Sequence, residues 1–128
     1  FGELKCVLAI HSSHFEDGSG YGGNPCGFVI AANGKNIYIA GDTALTMDMK
    51  LIPLFYDLDL AVLPLGDNYT MGIKEAVMAS QFVEVNEVLG CHYDTFPILE
   101  NDHDKAIKAF EMAGKKLHLL DIGQTIKL

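Results

Sequence analysis

Leu58-Asp-Leu-Ala-Val-Leu-Pro-Leu65 is an apolar run of strand length that stops at Gly66-Asp67-Asn68. Gly72–Val85 follows, with Ile73, Ala76, Val77, Ala79, Ser80 and Val83 spaced to form one small-residue packing face of a helix. Glu87–Cys91 is again a short apolar run and ends at His92. Alternating strand and helix predict an α/β layer, a mixed sheet carrying its helices on one face.

The flanking segments extend this pattern. Leu4–Ile10 reads as a buried strand ending at His11, and the Gly-rich Ser12–Gly27 as a long loop of the kind that is functional or mobile. Phe28–Ala32 and Asn36–Ala40 flank Asn33-Gly34, a strong hairpin signal, and Gly41-Asp42-Thr43 leaves the second strand. Asp48–Tyr56 is expected to be a short helix limited by Pro53. Asp102 is a fitting N-cap for a helix to Ala113, with Gly114 as its stop. Leu117–Leu120 and Thr125–Leu128 are expected to complete the strands, within a single domain over residues 1–128.

Bulk properties exclude several roles. The chain has 128 residues, an apolar fraction of 49% and a formal charge of −8, with a mean hydropathy of +0.19. Nine basic residues scattered over an acidic chain form no stripe for nucleic acid. No run approaches the roughly 18 apolar residues of a membrane span. Three cysteines with no C-x-x-C pair do not build a disulfide framework, and a reducing cytoplasm is the simplest expectation. The chain opens on Phe1 rather than Met, which suggests a piece of a longer protein.

The chemistry-bearing residues gather where strands end. His11, Asp42 and His92 each follow a predicted strand, and ligands in such sheets sit beyond strand ends. Two imidazoles and a carboxylate suit a divalent metal. Each also has a structural reading: His11 as a polar loop residue, Asp42 as a turn former, His92 as a core histidine with one satisfied nitrogen. His14, Asp67, Tyr93 and Thr95 are candidates to line a pocket, with Asp94 beside them. His103 and His118 fit structural roles better. Cys91 is expected in the core, since strand alternation turns it away from a site that His92 faces.

Five segments in order resemble the metallo-β-lactamase-fold hydrolases: Ala9–Ser13, Gly22–Phe28, Ile37–Leu45, Leu63–Gly66 with Thr70-Met71, and His92–Pro97. They are most similar to a branch of metal-dependent hydrolases related to ascorbate-phosphate lactonases, and they match its C-terminal half. The resemblance implies one αβ layer, the second, of an αββα sandwich. It implies that His11 holds one metal, that Asp42 bridges two, and that His92 holds the second. Zinc is the first expectation for the metal, with manganese, iron or nickel also compatible. A metal-activated hydroxide would then attack a small ester, lactone or phosphate-containing substrate. The family's His-x-His-x-Asp-His motif is absent from this sequence, so the chain is expected to supply only part of a site. The alternative is a non-catalytic metal-binding or assembly domain.

Half a sandwich exposes one apolar sheet face. At ~25 cal/mol per Å2, several hundred Å2 left uncovered is more than ~10 kcal/mol of unrealised burial, comparable to a domain's whole stability. The missing N-terminal half or a second copy of the chain is expected to cover it.

Overall fold

The computed structural model describes residues 2–128. Six strands form one sheet in the order β1-β2-β3-β4-β5-β6: β1 (Glu3–Leu8), β2 (Cys26–Ala32), β3 (Lys35–Ile39), β4 (Leu60–Pro64), β5 (Glu87–Cys91) and β6 (Lys116–His118). β1, β2 and β3 pair antiparallel, with Asn33-Gly34 at the β2–β3 turn; β3, β4, β5 and β6 pair parallel. Two α-helices, α1 (Ile73–Phe82) and α2 (His103–Met112), follow β4 and β5. The mixed α/β layer expected from the sequence is therefore the fold.

One cross-strand row sets the core. Val29, Tyr38, Ala61, Val88 and Leu117 stand opposite one another in successive strands, and all five are buried. Ala76 and Ala79 of α1 and Ala106 and Phe110 of α2 join the same apolar cluster. Small residues on the helices let their backbones approach a sheet already filled by β-branched and aromatic side chains. The opposite row is Cys6, Phe28, Ile39, Val62, Leu89 and His118. There Cys6 is exposed and the other five are only partly buried, so this face is apolar and incompletely covered.

Both helices are bounded by local chemistry. Asp102 accepts from the Lys105 N–H at the start of α2, and Gly114 (φ +71°) closes it while the Lys115 N–H reaches the Phe110 carbonyl. α1 is shorter than Gly72–Val85. Its stop is the same Schellman turn, with Glu84 at φ +56° in the glycine position and the Val85 N–H on the Ser80 carbonyl.

Four expectations need correction. Leu4–Ile10, expected as a buried strand, is the exposed edge strand β1, Glu3–Leu8, in which only Val7 is partly buried, because it pairs with β2 alone. Asp48–Tyr56 is a 3-10 helix, Met47–Leu54, with Pro53 inside; Thr46 caps it, and the Pro53 nitrogen has no proton to give an α-helical bond. Thr125–Leu128 is not a strand. It follows a turn closed by Asp121 and Gln124 and lies beside Lys35, Asp59 and His118, paired to no strand among the described residues. Leu117–Leu120 shortens to Lys116–His118, the stretch that pairs with β5.

Candidate metal centre

β1, β3, β4 and β5 all point the same way, so their C-terminal ends form one edge of the sheet. Four connections leave that edge, and every candidate ligand lies on one of them. Asp42 follows Gly41, whose φ of +66° turns the chain sharply out of β3. Thr43 is fully buried behind it and accepts from the Ile10 N–H at 2.9 Å, while the Ala44 N–H donates to the Ile10 carbonyl at 3.0 Å. These two bonds fasten the β3 exit to the β1 exit, one residue short of His11.

His92 is the first residue after β5 and sits at φ +54°, left-handed backbone that few residues other than Gly adopt. Such geometry costs energy and persists where the surroundings impose it, commonly at functional positions. Gly66 leaves room for it. A Cβ on Gly66 would fall 2.3 Å from the His92 carbonyl oxygen and 2.8 Å from Nδ1, so only glycine admits the imidazole. The Leu65 N–H donates to the Cys91 carbonyl at 2.9 Å, locking the two exits side by side.

The result is a close pair. His92 Nε2 lies 3.6 Å from Asp42 Oδ2, with the carboxylate more than half exposed and the ring more buried. His92 Nδ1 is buried and has no hydrogen-bond partner among the described residues. A metal on Nε2 requires the ring proton on Nδ1, the tautomer in which Nε2 offers its lone pair to the Asp42 side. The donor pair and its cradle therefore fit a divalent cation as part of a shell, though two donors are fewer than the three or four of a protein metal site.

His11 stays outside the pair. Its Nδ1 lies 3.0 Å from the Ser12 carbonyl, which places the proton there and leaves Nε2 free. Among the described residues no three His, Cys, Asp or Glu side chains already stand in metal-binding proximity. His14, Asp67 and Thr95 are exposed on three of the four connections, and Tyr93 is half-buried. Cys91 is only partly buried, on the incompletely covered face rather than deep in the core. Burial and then the Asp42 charge push its thiol up to about 11.

Other features of the centre carry no sequence signal. Asp94, left-handed at φ +59°, accepts from the Asn101 N–H at 2.8 Å and holds His103 Nε2 at 2.5 Å. The Asn101 amide donates to the Leu65 carbonyl at 2.6 Å, and the Asn68 amide to Ile98 at 2.8 Å. Together they brace the loops after β4 and β5. His103, read as structural, serves that brace, and its ring meets Tyr93 edge-on at 5.4 Å between centroids.

Comparison with known proteins bears on this geometry. Residues 1–93 match the family model of the beta-lactamase superfamily domain. A UPF0173 metal-dependent hydrolase of Christiangramia forsetii is 62% identical over 128 residues, all of this chain and 56% of that protein. A metallo hydrolase of Ignicoccus hospitalis, Igni18, superposes with a TM-score of 0.85 at 34% identity, over 96% of this chain and 51% of its own. A possible metal-dependent hydrolase of Veillonella parvula shares the fold at a TM-score of 0.75 and 18% identity, over 98% of this chain and 53% of its own. The chain spans about half the length of the relatives it matches.

Proposed function

Because this chain belongs to the beta-lactamase superfamily domain family, we propose that it supplies the C-terminal part of a metal-dependent hydrolase. The observation that carries this reading is the Asp42–His92 pair, 3.6 Å apart at the sheet edge with the second ring nitrogen buried against Gly66. In this reading His92 and Asp42 would hold one metal, and Asp42 with His11 would contribute to holding a second. The remaining donors come from the rest of the protein. Zinc is the first candidate, since imidazole with carboxylate suits it; manganese, iron and nickel accept a similar set. When bound, the metal supplies a Lewis acid that brings the pKa of a coordinated water from 15.7 to about 7.

The chain's own residues do the rest. The Asp42 carboxylate places a fixed negative charge beside the cation. The Gly66 cradle and the left-handed turn hold the His92 ring so that its lone pair is aimed before any ligand arrives. His14, Asp67, Tyr93 and Thr95 stand on or beside the connections that a substrate would meet. The proposed substrates are small esters, lactones or phosphate-containing compounds. The incompletely covered row through Phe28, Ile39, Val62 and Leu89 fits contact with the N-terminal half or with a second copy of the chain. A role as a non-catalytic assembly domain shares that face and differs at the metal. Three free cysteines suit a reducing, cytoplasmic setting, and no helix among the described residues is long and apolar enough to cross a membrane.

Elemental analysis of the protein expressed with its N-terminal part, as wild type and as Asp42→Ala, tests this reading. Near-stoichiometric metal and hydrolysis lost together in the variant are expected. Undiminished turnover by Asp42→Ala sinks the proposal.

A further inference from the structure

A histidine that binds a metal is ordinarily aimed by a hydrogen bond. The ring nitrogen away from the metal donates to a carboxylate or carbonyl, which fixes tautomer and orientation together. His92 Nδ1 has no such partner among the described residues. Within this chain the ring is aimed by packing, and Gly66 is what stands against it. A Cβ on Gly66 would meet not only the His92 carbonyl and Nδ1 but also Leu99 Cδ2, at 3.3 Å. The Gly66 backbone is thus closely approached by the imidazole and by the buried side chain of Leu99.

Gly66 is held in place through Leu65. The Leu65 N–H donates to the Cys91 carbonyl at 2.9 Å, and the Leu65 carbonyl accepts from the side-chain amide of the half-buried Asn101 at 2.6 Å. Asn101 comes from the far end of the loop that His92 opens. The same amide lies 3.4 Å from the Leu99 carbonyl, so both its neighbours are acceptors and only its NH2 end can face them. The Leu99 carbonyl also accepts from the Asp94 N–H at 3.0 Å, and the Asn101 N–H donates to the Asp94 carboxylate at 2.8 Å. One residue therefore holds the β4 exit through Leu65 and the His92 loop through Asp94 and Leu99. None of its bonds reaches Asp42 or His92, so any effect on a metal passes through the backbone around Gly66.

Resting on the metal-centre reading above, we propose that Asn101 is a positioning residue for His92. By holding the Leu65 carbonyl, its amide keeps Gly66 against the imidazole and so keeps Nε2 directed toward Asp42. Asn68 supplies the contrast. Its amide donates to the Ile98 carbonyl at 2.8 Å and ties the same two loops, but it takes hold of neither Leu65 nor Leu99.

The test uses the protein carrying its N-terminal part, as wild type, Asn101→Ala, Asn101→Leu and Asn68→Ala. Asn101→Leu removes the donor at nearly constant size and serves where the smaller side chain does not fold. Zinc dissociation constants are measured by competition with a chelator, and the visible spectrum of the cobalt(II)-substituted protein reports ligand geometry. Both Asn101 variants should bind zinc about tenfold more weakly, the lower end of what residues one shell out from a metal are worth, and Asn68→Ala within about twofold of wild type. The cobalt spectrum should change in the Asn101 variants and superimpose on wild type in Asn68→Ala. A residue that merely braced the loops would lower the melting temperature and leave affinity and spectrum unmoved. Unchanged zinc affinity in the Asn101 variants, or an equal loss in Asn68→Ala, overturns the inference while the metal reading stands. Wild-type protein that binds neither zinc nor cobalt removes that reading, and this inference with it.

Discussion

The two ends of the sheet are built to different rules. At the N-terminal end charges are paired: Lys35 meets Asp59 at 2.6 Å, the Asn36 N–H donates to the same carboxylate, and Glu87 takes both His118 and Lys116. Left-handed residues there occur at Asn33 in the hairpin and Glu84 after α1, positions where turns ordinarily require them. At the C-terminal end Asp67, Asn68, His92 and Asp94 all take left-handed backbone, His92 Nδ1 lacks a partner among the described residues, and Asp42 faces solvent. One end spends its polar groups on holding the sheet together. The other uses Asp94, His103, Asn68 and Asn101 to brace its loops but leaves Asp42 and the His92 ring available on strained backbone, and that difference separates scaffold from site.

Substitution at the available end should break the contrast most sharply. Asp42→Ala is expected to cost at least about 100-fold in metal affinity and activity, since even residues one shell out from a metal are worth 10–100-fold. Because Asp42 is exposed, unfolding free energy should move by no more than about 0.5 kcal/mol, as urea titration would show. Gly66→Ala comes next. The new methyl must displace the His92 backbone, so a loss of about 1–3 kcal/mol in stability is expected together with weakened metal binding. If Gly66→Ala lowers stability but leaves metal affinity untouched, the cradle does not position the imidazole.

At the paired end the effects are smaller and of different kinds. Glu84→Gly should raise stability by roughly 0.5–1 kcal/mol, because α1 would then stop as α2 stops at Gly114. Asp59→Asn should cost no more than about 1 kcal/mol, the range of exposed pairs. Its signature is pH dependence. The hydrogen bond from Lys35, then that from the Asn36 N–H, holds Asp59 below its ordinary 3.8. His118 first, then Lys116, holds Glu87 below 4.5. A carboxylate depressed in the folded state contributes stability above its unfolded value and loses it as pH falls through the folded one. Wild-type stability should therefore decline as pH drops below about 4.5 and then 3.8, and Asp59→Asn should flatten the lower part of that curve. An unchanged curve would show that the paired end is no tighter than the rest of the surface.

Sequence reading reaches the two ends unequally for the same reason. Strands such as β4 and β5 are legible because an apolar run and its punctuation are local properties, and the exits carrying Asp42 and His92 follow from where those runs stop. Thr125–Leu128 shows the limit: an apolar tetrapeptide becomes a strand only if a sheet edge accepts it, which no segment can announce. His11 shows another, since occurrence at a strand end does not fix the distance to Asp42. Gly66 reads as one more loop glycine until the His92 ring is placed against it. The Asp94–His103 brace joins residues whose intervening turn, Pro97–Leu99, had to be folded before the pair could be seen.

The sheet order has a kinetic consequence. Every strand lies beside its predecessor in the chain, so the sheet can lengthen by one strand at a time from either the hairpin or the crossover units. No closure must wait for a distant segment, and each step meets only the entropy of a modest loop. Such an assembly should fold early relative to sheets with shuffled strand order. It would present a formed platform, with its Gly66 cradle in place, to whatever completes the metal shell.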